Sequence, residues 1–337
     1  MTSVKLLLFA LLASIAPALV AAPASRSEYE LLRRIPADLF QALTSAGEPD
    51  AQGFVGAHRK ENRWYESGKQ RSGCWYLIGA VVAGDEERAE KAWTSIEATF
   101  ARQVADGGFL STQKPNRSNP PTFEERIETG FFYLQELGHA LLVVQESPLA
   151  DRFRDRIEAL RPRVRRACDF IDSGYGSIVG KVGKTTNRLL IAAKAFGLCG
   201  VFLDDEKLQN RARALVQIAL KQRDEQGVFL EYGGRDSSYN SVSLLMGRVL
   251  WLHLPAAGLD EALGQAMTWQ LTRIQPDGTV LVRDNTRTGL GQEKNFTGGI
   301  KQVNTREVAL ALCYHGLVHD DPAPLALAAK VFARSKD

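Results

Sequence analysis

Five glycines recur along this chain at nearly even steps, and each is followed closely by an apolar or aromatic residue. They stand in Gln52-Gly53-Phe54, Asp106-Gly107-Gly108-Phe109, Ser173-Gly174-Tyr175, Gln226-Gly227-Val228-Phe229 and Asp277-Gly278-Thr279-Val280. From Gly53 through Gly107, Gly174, Gly227 and Gly278 the steps are 54, 67, 53 and 51 residues. A repeat of about 50 residues is the signature of one supersecondary unit used several times, each unit burying its apolar face against its neighbours.

Between the glycines the pattern reads helix, short turn, helix. The first helix of each unit is apolar on every side: 73–83, 131–144, 189–203, 242–254 and 308–318. Such a helix has no face to give to water and must be enclosed. The second helix is amphipathic. Over 86–104 the apolar residues Ala89, Trp93, Ile96, Phe100 and Val104 fall three or four apart, as do Leu208, Ala212, Leu215 and Ile218 over 205–222. That spacing puts one apolar stripe toward a core. The stretches 228–232 and 279–283 suit short hairpins, and little else suits a strand.

The expected class is all-α. Five enclosed helices alternating with five amphipathic ones fit an inner ring wrapped by an outer one, an (α/α) toroid or incomplete barrel of five to six helical hairpins. A helix near 27–45 would close it. An open solenoid of the same hairpins is the alternative. In the ring, the glycine loops and the inner-helix N-termini gather at one end and form a cleft.

The first residues read as a targeting segment. Lys5 precedes the apolar stretch 6–22, and Ala22-Pro23-Ala24 supplies small residues for cleavage. Residues 1–24 are expected to be a signal peptide and 25–337 one domain, periplasmic or secreted, monomeric and free of the membrane after cleavage. Cys74, Cys168, Cys199 and Cys313 lack metal spacing and lie in apolar helical patterns, so buried free thiols are expected, with one bridge open as an alternative. No motif calls for a metal or another cofactor.

Charge is uneven. The loop segments 51–72, 112–126, 173–188, 227–240 and 277–307 together carry +7, whereas residues 25–337 carry only +2. The positive charge sits where the cleft is expected, which favours an anionic ligand. Near-neutral total charge and export argue against a general nucleic-acid binder.

The stretch 184–250 opens KTTNRLLIAAKAFGLCG and closes DEQGVFLEYGGRDSSYNSVSLLMGRVL. It resembles the alginate-lyase family of (α/α) toroid polysaccharide lyases, in which an Asn-Asn-His pattern opens one inner helix and a D-x-Q-G-F loop leads to an Arg and then a Tyr. The resemblance implies a lyase that cleaves an acidic, uronate-containing polysaccharide by β-elimination. It places Asn187 on the family's Asn, Arg235 on its Arg and Tyr239 on its catalytic Tyr. Arg188 stands where the family has its His. Asn187, Arg188 and Arg235 are then expected to neutralise the uronate carboxylate, and Tyr239 to serve as base or acid.

Other roles are open for these residues: Asn187 as a helix cap, Tyr239 as a packed aromatic, Arg235 as the partner of Glu231 or Asp236. His58, Asn62, Trp64 and Tyr65 offer ring faces and polar groups for a sugar before the first inner helix. Lys181, Lys184 and Tyr232 complete the expected substrate-binding set. His139, His253 and His315 lie inside apolar helices and read as core histidines. Two alternatives stand beside the lyase: a glycoside hydrolase, needing Glu231 or Asp236 with Glu61 or Glu124, and a binder of acidic glycans without turnover.

Overall fold

The computed structural model describes residues 27–55, 65–112, 119–287 and 302–334. Among them the fold is all-helical, as expected, with thirteen α-helices and no strand. Residues 1–26, His58, Asn62, Trp64 and Glu61 lie outside the described residues.

The five all-apolar stretches are five helices, each longer than its apolar run. They are α3 (Ser67–Ala83), α5 (Phe123–Glu146), α8 (Thr186–Leu203), α10 (Ser237–His253) and α12 (Thr305–Val318). Each is followed by an amphipathic partner packed on it: α4 (Glu86–Phe100), α6 (Ala150–Ser173), α9 (Glu206–Leu220), α11 (Leu259–Thr272) and α13 (Pro322–Ala333). The all-apolar helices also pack on one another in chain order, α3 on α5, α5 on α8, α8 on α10 and α10 on α12. By length and composition α8 could cross a membrane, yet its residues are buried within the fold.

Sequence chemistry sets the hairpins. Helix α3 ends at Gly84 (φ 69°) and α8 at Asp204 (φ 53°), both left-handed, and each cap N–H turns back to the preceding carbonyls. The chain then starts the partner helix on an Asp. Asp85 Oδ1 accepts from the Arg88 N–H at 2.9 Å, and Asp205 Oδ1 from the Leu208 N–H at 3.0 Å. These carboxylates satisfy free N–H groups and oppose the positive end of the helix. Ala89, Trp93, Ile96 and Phe100 of the stripe are buried as expected, whereas α4 stops at Phe100 and Val104 lies beyond it, half-buried. Each large side chain of that kind contributes about 1.5–3 kcal/mol by leaving water.

The repeated glycines share one turn in four of five cases. Gly53, Gly107, Gly227 and Gly278 have φ of 79° to 90°. In each turn a preceding Asp (Asp50, Asp106, Asp224 or Asp277) accepts hydrogen bonds from backbone N–H groups within the turn. Gly174 differs. Its φ is −96°, and the chain passes from α6 straight into an additional helix, α7 (Tyr175–Val182), where a loop is expected. The expected hairpins at 228–232 and 279–283 reduce to isolated bridges, Arg223 with Phe229 and Ile274 with Val280.

The single helix expected over 27–45 is two, α1 (Glu28–Leu32) and α2 (Ala37–Thr44). Pro36 sits at the N-cap of α2, where its missing N–H and fixed φ suit a helix start rather than an interior. Helix α1 touches α5 and α12, while α2 packs on α3. All four cysteines are buried and free.

Candidate functional site

The starts of the apolar helices meet. Ser67 at the start of α3 donates to the Thr129 carbonyl on α5, and Arg188 on α8 lies 3.3 Å from Glu128 on α5. The Asn304 N–H, capping α12, donates to the Ser238 hydroxyl on α10 at 3.2 Å. Two of the glycine-turn segments also join here: the Tyr232 N–H donates to the Lys184 carbonyl at 2.9 Å, and Thr185 bridges Glu231.

That pairing brings Asn187 against Glu231. Thr185 is the N-cap of α8, so Asn187 is the second residue of the helix rather than its cap. Its backbone N–H donates to Glu231 Oε1 at 2.7 Å. The Asn187 side-chain oxygen is buried and has no hydrogen-bond partner among the described residues. An orphaned buried acceptor of this kind is an opening for a ligand group, since leaving it empty costs about 1–3 kcal/mol.

Glu231 is 1% exposed. Burial pushes its carboxyl up to about 8, against the opposing pull of the Asn187 N–H, Arg287 and Arg188, with Asp236 adding to the rise. At neutral pH this carboxyl keeps its proton and is a hydrogen-bond donor as well as an acceptor.

Arg287 is the cation that sequence patterning missed. Its guanidinium carbon sits 4.5 Å from the Tyr239 ring centroid and 5.5 Å from that of Tyr232, and its Nη1 is 3.7 Å from Asp236. The chain at 286–287 passes directly over Gly234, where a Cβ would meet the Thr286 carbonyl oxygen at 2.1 Å. Only glycine permits that approach. The Thr286 and Arg287 N–H groups both donate to the Arg235 carbonyl, which holds the segment in place. Tyr232 is kept in the left-handed region (φ 50°) by the same turn.

Tyr239 is the third residue of α10, half-buried, on a helix capped by Asp236, whose Oδ1 accepts from the Ser238 and Tyr239 N–H groups. Asn187, Arg188, Glu231, Tyr232 and Tyr239 are therefore gathered around one place, with Lys184 exposed beside them. Arg235 contributes its backbone instead. Its Nε lies 2.6 Å from Asp224, so the side chain braces the 224–228 turn rather than reaching for a substrate.

One further expectation is corrected. Tyr65 is 6% exposed, packed edge-on to Phe54 with the Arg102 guanidinium 4.4 Å from its ring, so its faces are not open to a sugar. Lys181 pairs with Glu124 at 3.2 Å on the surface. This engages Glu124, one of the carboxylates that a hydrolase would need. The chain matches no protein-family model and no curated protein.

Proposed function

We propose that this chain is an exported lyase that cleaves an acidic, uronate-containing polysaccharide by β-elimination, on an (α/α) ring. The contacts of α1 with both α5 and α12 support closure of the ring, as does the hydrogen bond from Arg306 on α12 to the Leu43 carbonyl on α2. The observation that carries the chemical reading is Glu231: a buried carboxyl, protonated at neutral pH, beside an orphaned amide oxygen and an arginine stacked on a tyrosine.

β-Elimination needs the uronate carboxylate neutralised, so that removing the weakly acidic C5 proton does not pile charge on charge. Protonated Glu231, the Asn187 Nδ2 and Arg188 are donors suited to its two oxygens, while the orphaned Asn187 Oδ1 suits a sugar hydroxyl. Tyr239, with the Arg287 guanidinium over its ring, is the base that takes the C5 proton. The electron pair left behind forms the C4–C5 double bond as the C4–O bond breaks. The departing oxygen takes the proton back from the Tyr239 phenol. The loop segments' excess of positive charge would draw the polymer toward this end.

A second reading also draws on Glu231. A carboxyl with a raised pKa is what a glycoside hydrolase uses as general acid, and Asp236 is the nearby carboxylate to pair with it. One assay separates the two. Incubation with alginate, glucuronan, pectin and glycosaminoglycans should produce ultraviolet absorbance from the new conjugated double bond, and Tyr239→Phe should abolish it. New reducing ends without that absorbance would establish the hydrolase, and silence in both readouts would end the enzymatic reading.

A further inference from the structure

Helices α3, α5, α10 and α12 enclose a cavity of about 140 Å³ lined by, among others, Arg71, Trp75, Glu136, Met246, Asn304 and Arg306. It adjoins the proposed site through Asn304, whose N–H donates to Ser238, the neighbour of Tyr239. Met246 follows Tyr239 by seven residues, so the cavity reaches about 10 Å deeper along α10.

Its walls hold unused hydrogen-bonding capacity of both signs. Arg306 donates from Nε to the Leu43 carbonyl, and its guanidinium carbon lies 5.1 Å from the Trp75 ring centroid. Arg71 donates from Nη1 to the Gly68 carbonyl at 2.6 Å, with its guanidinium carbon 5.3 Å from the Phe132 ring centroid. Among the described residues no acceptor takes the Arg306 Nη groups or the Arg71 Nε and Nη2. The two cations also repel: burial lowers the pKa of Arg306 and the Arg71 charge adds to that, while Glu307 and Glu136 act the other way.

Glu136, 2% exposed, lines the same cavity. Its Oε2 accepts from Lys194 Nζ at 2.7 Å and faces His139 Nδ1 at 3.2 Å. Its Oε1 accepts nothing among the described residues. The cavity thus offers two guanidinium forks to an anion and a buried carboxylate oxygen to a hydroxyl.

The geometry points to a binding subsite for one sugar-acid residue, its carboxylate bridging Arg71 and Arg306 and a hydroxyl donating to Glu136. A planar carboxylate fits a guanidinium fork. A neutral sugar leaves both cations unpaired, and inorganic phosphate, although its P–OH can donate to Glu136, has no ring to pack against Trp75 and Met246. At about 140 Å³ the cavity has no room for a disaccharide, so the occupant is a single residue. The inference rests on the acidic-glycan reading and adds where a second uronate of the polymer, or the product's end residue, is held.

Isothermal titration of the full chain with sodium glucuronate, glucose and inorganic phosphate tests it. Glucuronate should bind one to one, glucose should give no heat, and Arg71→Gln should weaken glucuronate by about tenfold or more, the loss of a charge-assisted hydrogen bond. Ser72 on α3 also lines the cavity, so Ser72→Phe fills it, should abolish the Arg71-dependent binding and serves if Arg71→Gln fails to fold by circular dichroism. No heat with glucuronate, equal affinity in a folded variant, or phosphate binding as tightly as glucuronate would each overturn the subsite. Unsaturated product without Arg71-dependent glucuronate binding sinks the subsite and spares the lyase. Arg71-dependent binding without turnover of any polymer does the reverse.

Discussion

His139 Nε2 lies 2.8 Å from Glu28 Oε1, although 111 residues separate them in the chain. The other Glu28 oxygen faces His253 Nε2 at 2.5 Å, and the Tyr314 hydroxyl donates to Oε1. One carboxylate on the short helix α1 therefore ties together α5, α10 and α12. Through His139 the network continues to Glu136 and Lys194, all fully or almost fully buried. Two carboxylates, an imidazolium and an ammonium balance in charge. That balance among Glu28, Glu136, His139 and Lys194 is what permits charge inside an apolar fold, with His253 and the Tyr314 hydroxyl taking further bonds to Glu28.

Removing Glu28 breaks the balance. Glu28→Gln leaves a net positive charge beside His139 and should destabilise the fold by about 3–5 kcal/mol. Denaturant unfolding followed by circular dichroism measures it. Replacing an exposed acid of a surface pair, such as Glu158 with Arg161, should change little by comparison, since surface pairs are generally worth about 0–1 kcal/mol.

The same network sets a pH window. Burial opposes ionisation of Glu28 and Glu136, but the charges of His139 on the first and Lys194 on the second overcome it and hold both well below the usual carboxylate range. Burial likewise opposes the charge on His139, and Glu28 and Glu136 outweigh it, raising its pKa above 6.5. The carboxylate contribution is present above pH 4.5 and is lost only as pH falls through the depressed folded values. The His139 contribution is complete below pH 6.5 and disappears as pH rises through its raised value. Wild-type melting temperature should therefore fall on the alkaline side of the imidazole range, and a melting series across pH should show that fall reduced in Glu28→Gln.

Much of this architecture was legible in the residues. Helices apolar on every face had to be enclosed, and the three-and-four spacing of Ala89, Trp93, Ile96 and Phe100 declared a single buried stripe. Gly174 misled because its glycine-aromatic pair looks like the other four, while its backbone is not left-handed. Asn187 and Tyr239 were legible because both stand at the start of an apolar helix, and parallel registers bring such starts together. Arg287 was not, because it lies in a stretch without periodicity and is placed by the close approach to Gly234. Nor was the bond between Glu28 and His139, which only the packing of α1 on α5 creates. Arg235 looked like a substrate-facing cation, and its partner Asp224 became visible only once the glycine turn was formed.

Tyr239→Phe should lower turnover of the acidic polymer by about 10²–10⁴-fold, the usual worth of a positioned proton-transfer group. The ring stays under Arg287, so the melting temperature should hold. Initial rates of unsaturated product, with a melting curve beside them, separate a chemical role from a packing one: unchanged turnover would remove Tyr239 from the reaction.

Gly234→Ala should impair both stability and activity. A Cβ there meets the Thr286 carbonyl oxygen at 2.1 Å and the Arg287 Cα at 2.2 Å, both backbone atoms that cannot swing aside. Overpacking of this kind costs about 1–3 kcal/mol. Relief requires the 286–287 segment to lift, which takes Arg287 off Tyr239. A folded Gly234→Ala protein with full activity would show that Arg287 has no part in the reaction.

Glu231→Gln separates the pH dependence of folding from that of catalysis. The folded carboxyl binds its proton up to about pH 8, whereas the unfolded one releases it near 4.5. Between those values the native state holds more protons, so wild-type stability declines as pH rises through the window and levels off above it. Glutamine carries no such proton. The variant's melting temperature, relative to wild type, should climb from pH 5 to pH 8 and then stay constant. Wild-type turnover should decline as pH passes about 8, because ionised Glu231 repels the uronate carboxylate that its protonated form binds. The variant, which keeps a neutral donor at that position, should lose this alkaline limb. An alkaline limb that persists in a folded Glu231→Gln protein would assign it to another group, with Tyr239 the first to test.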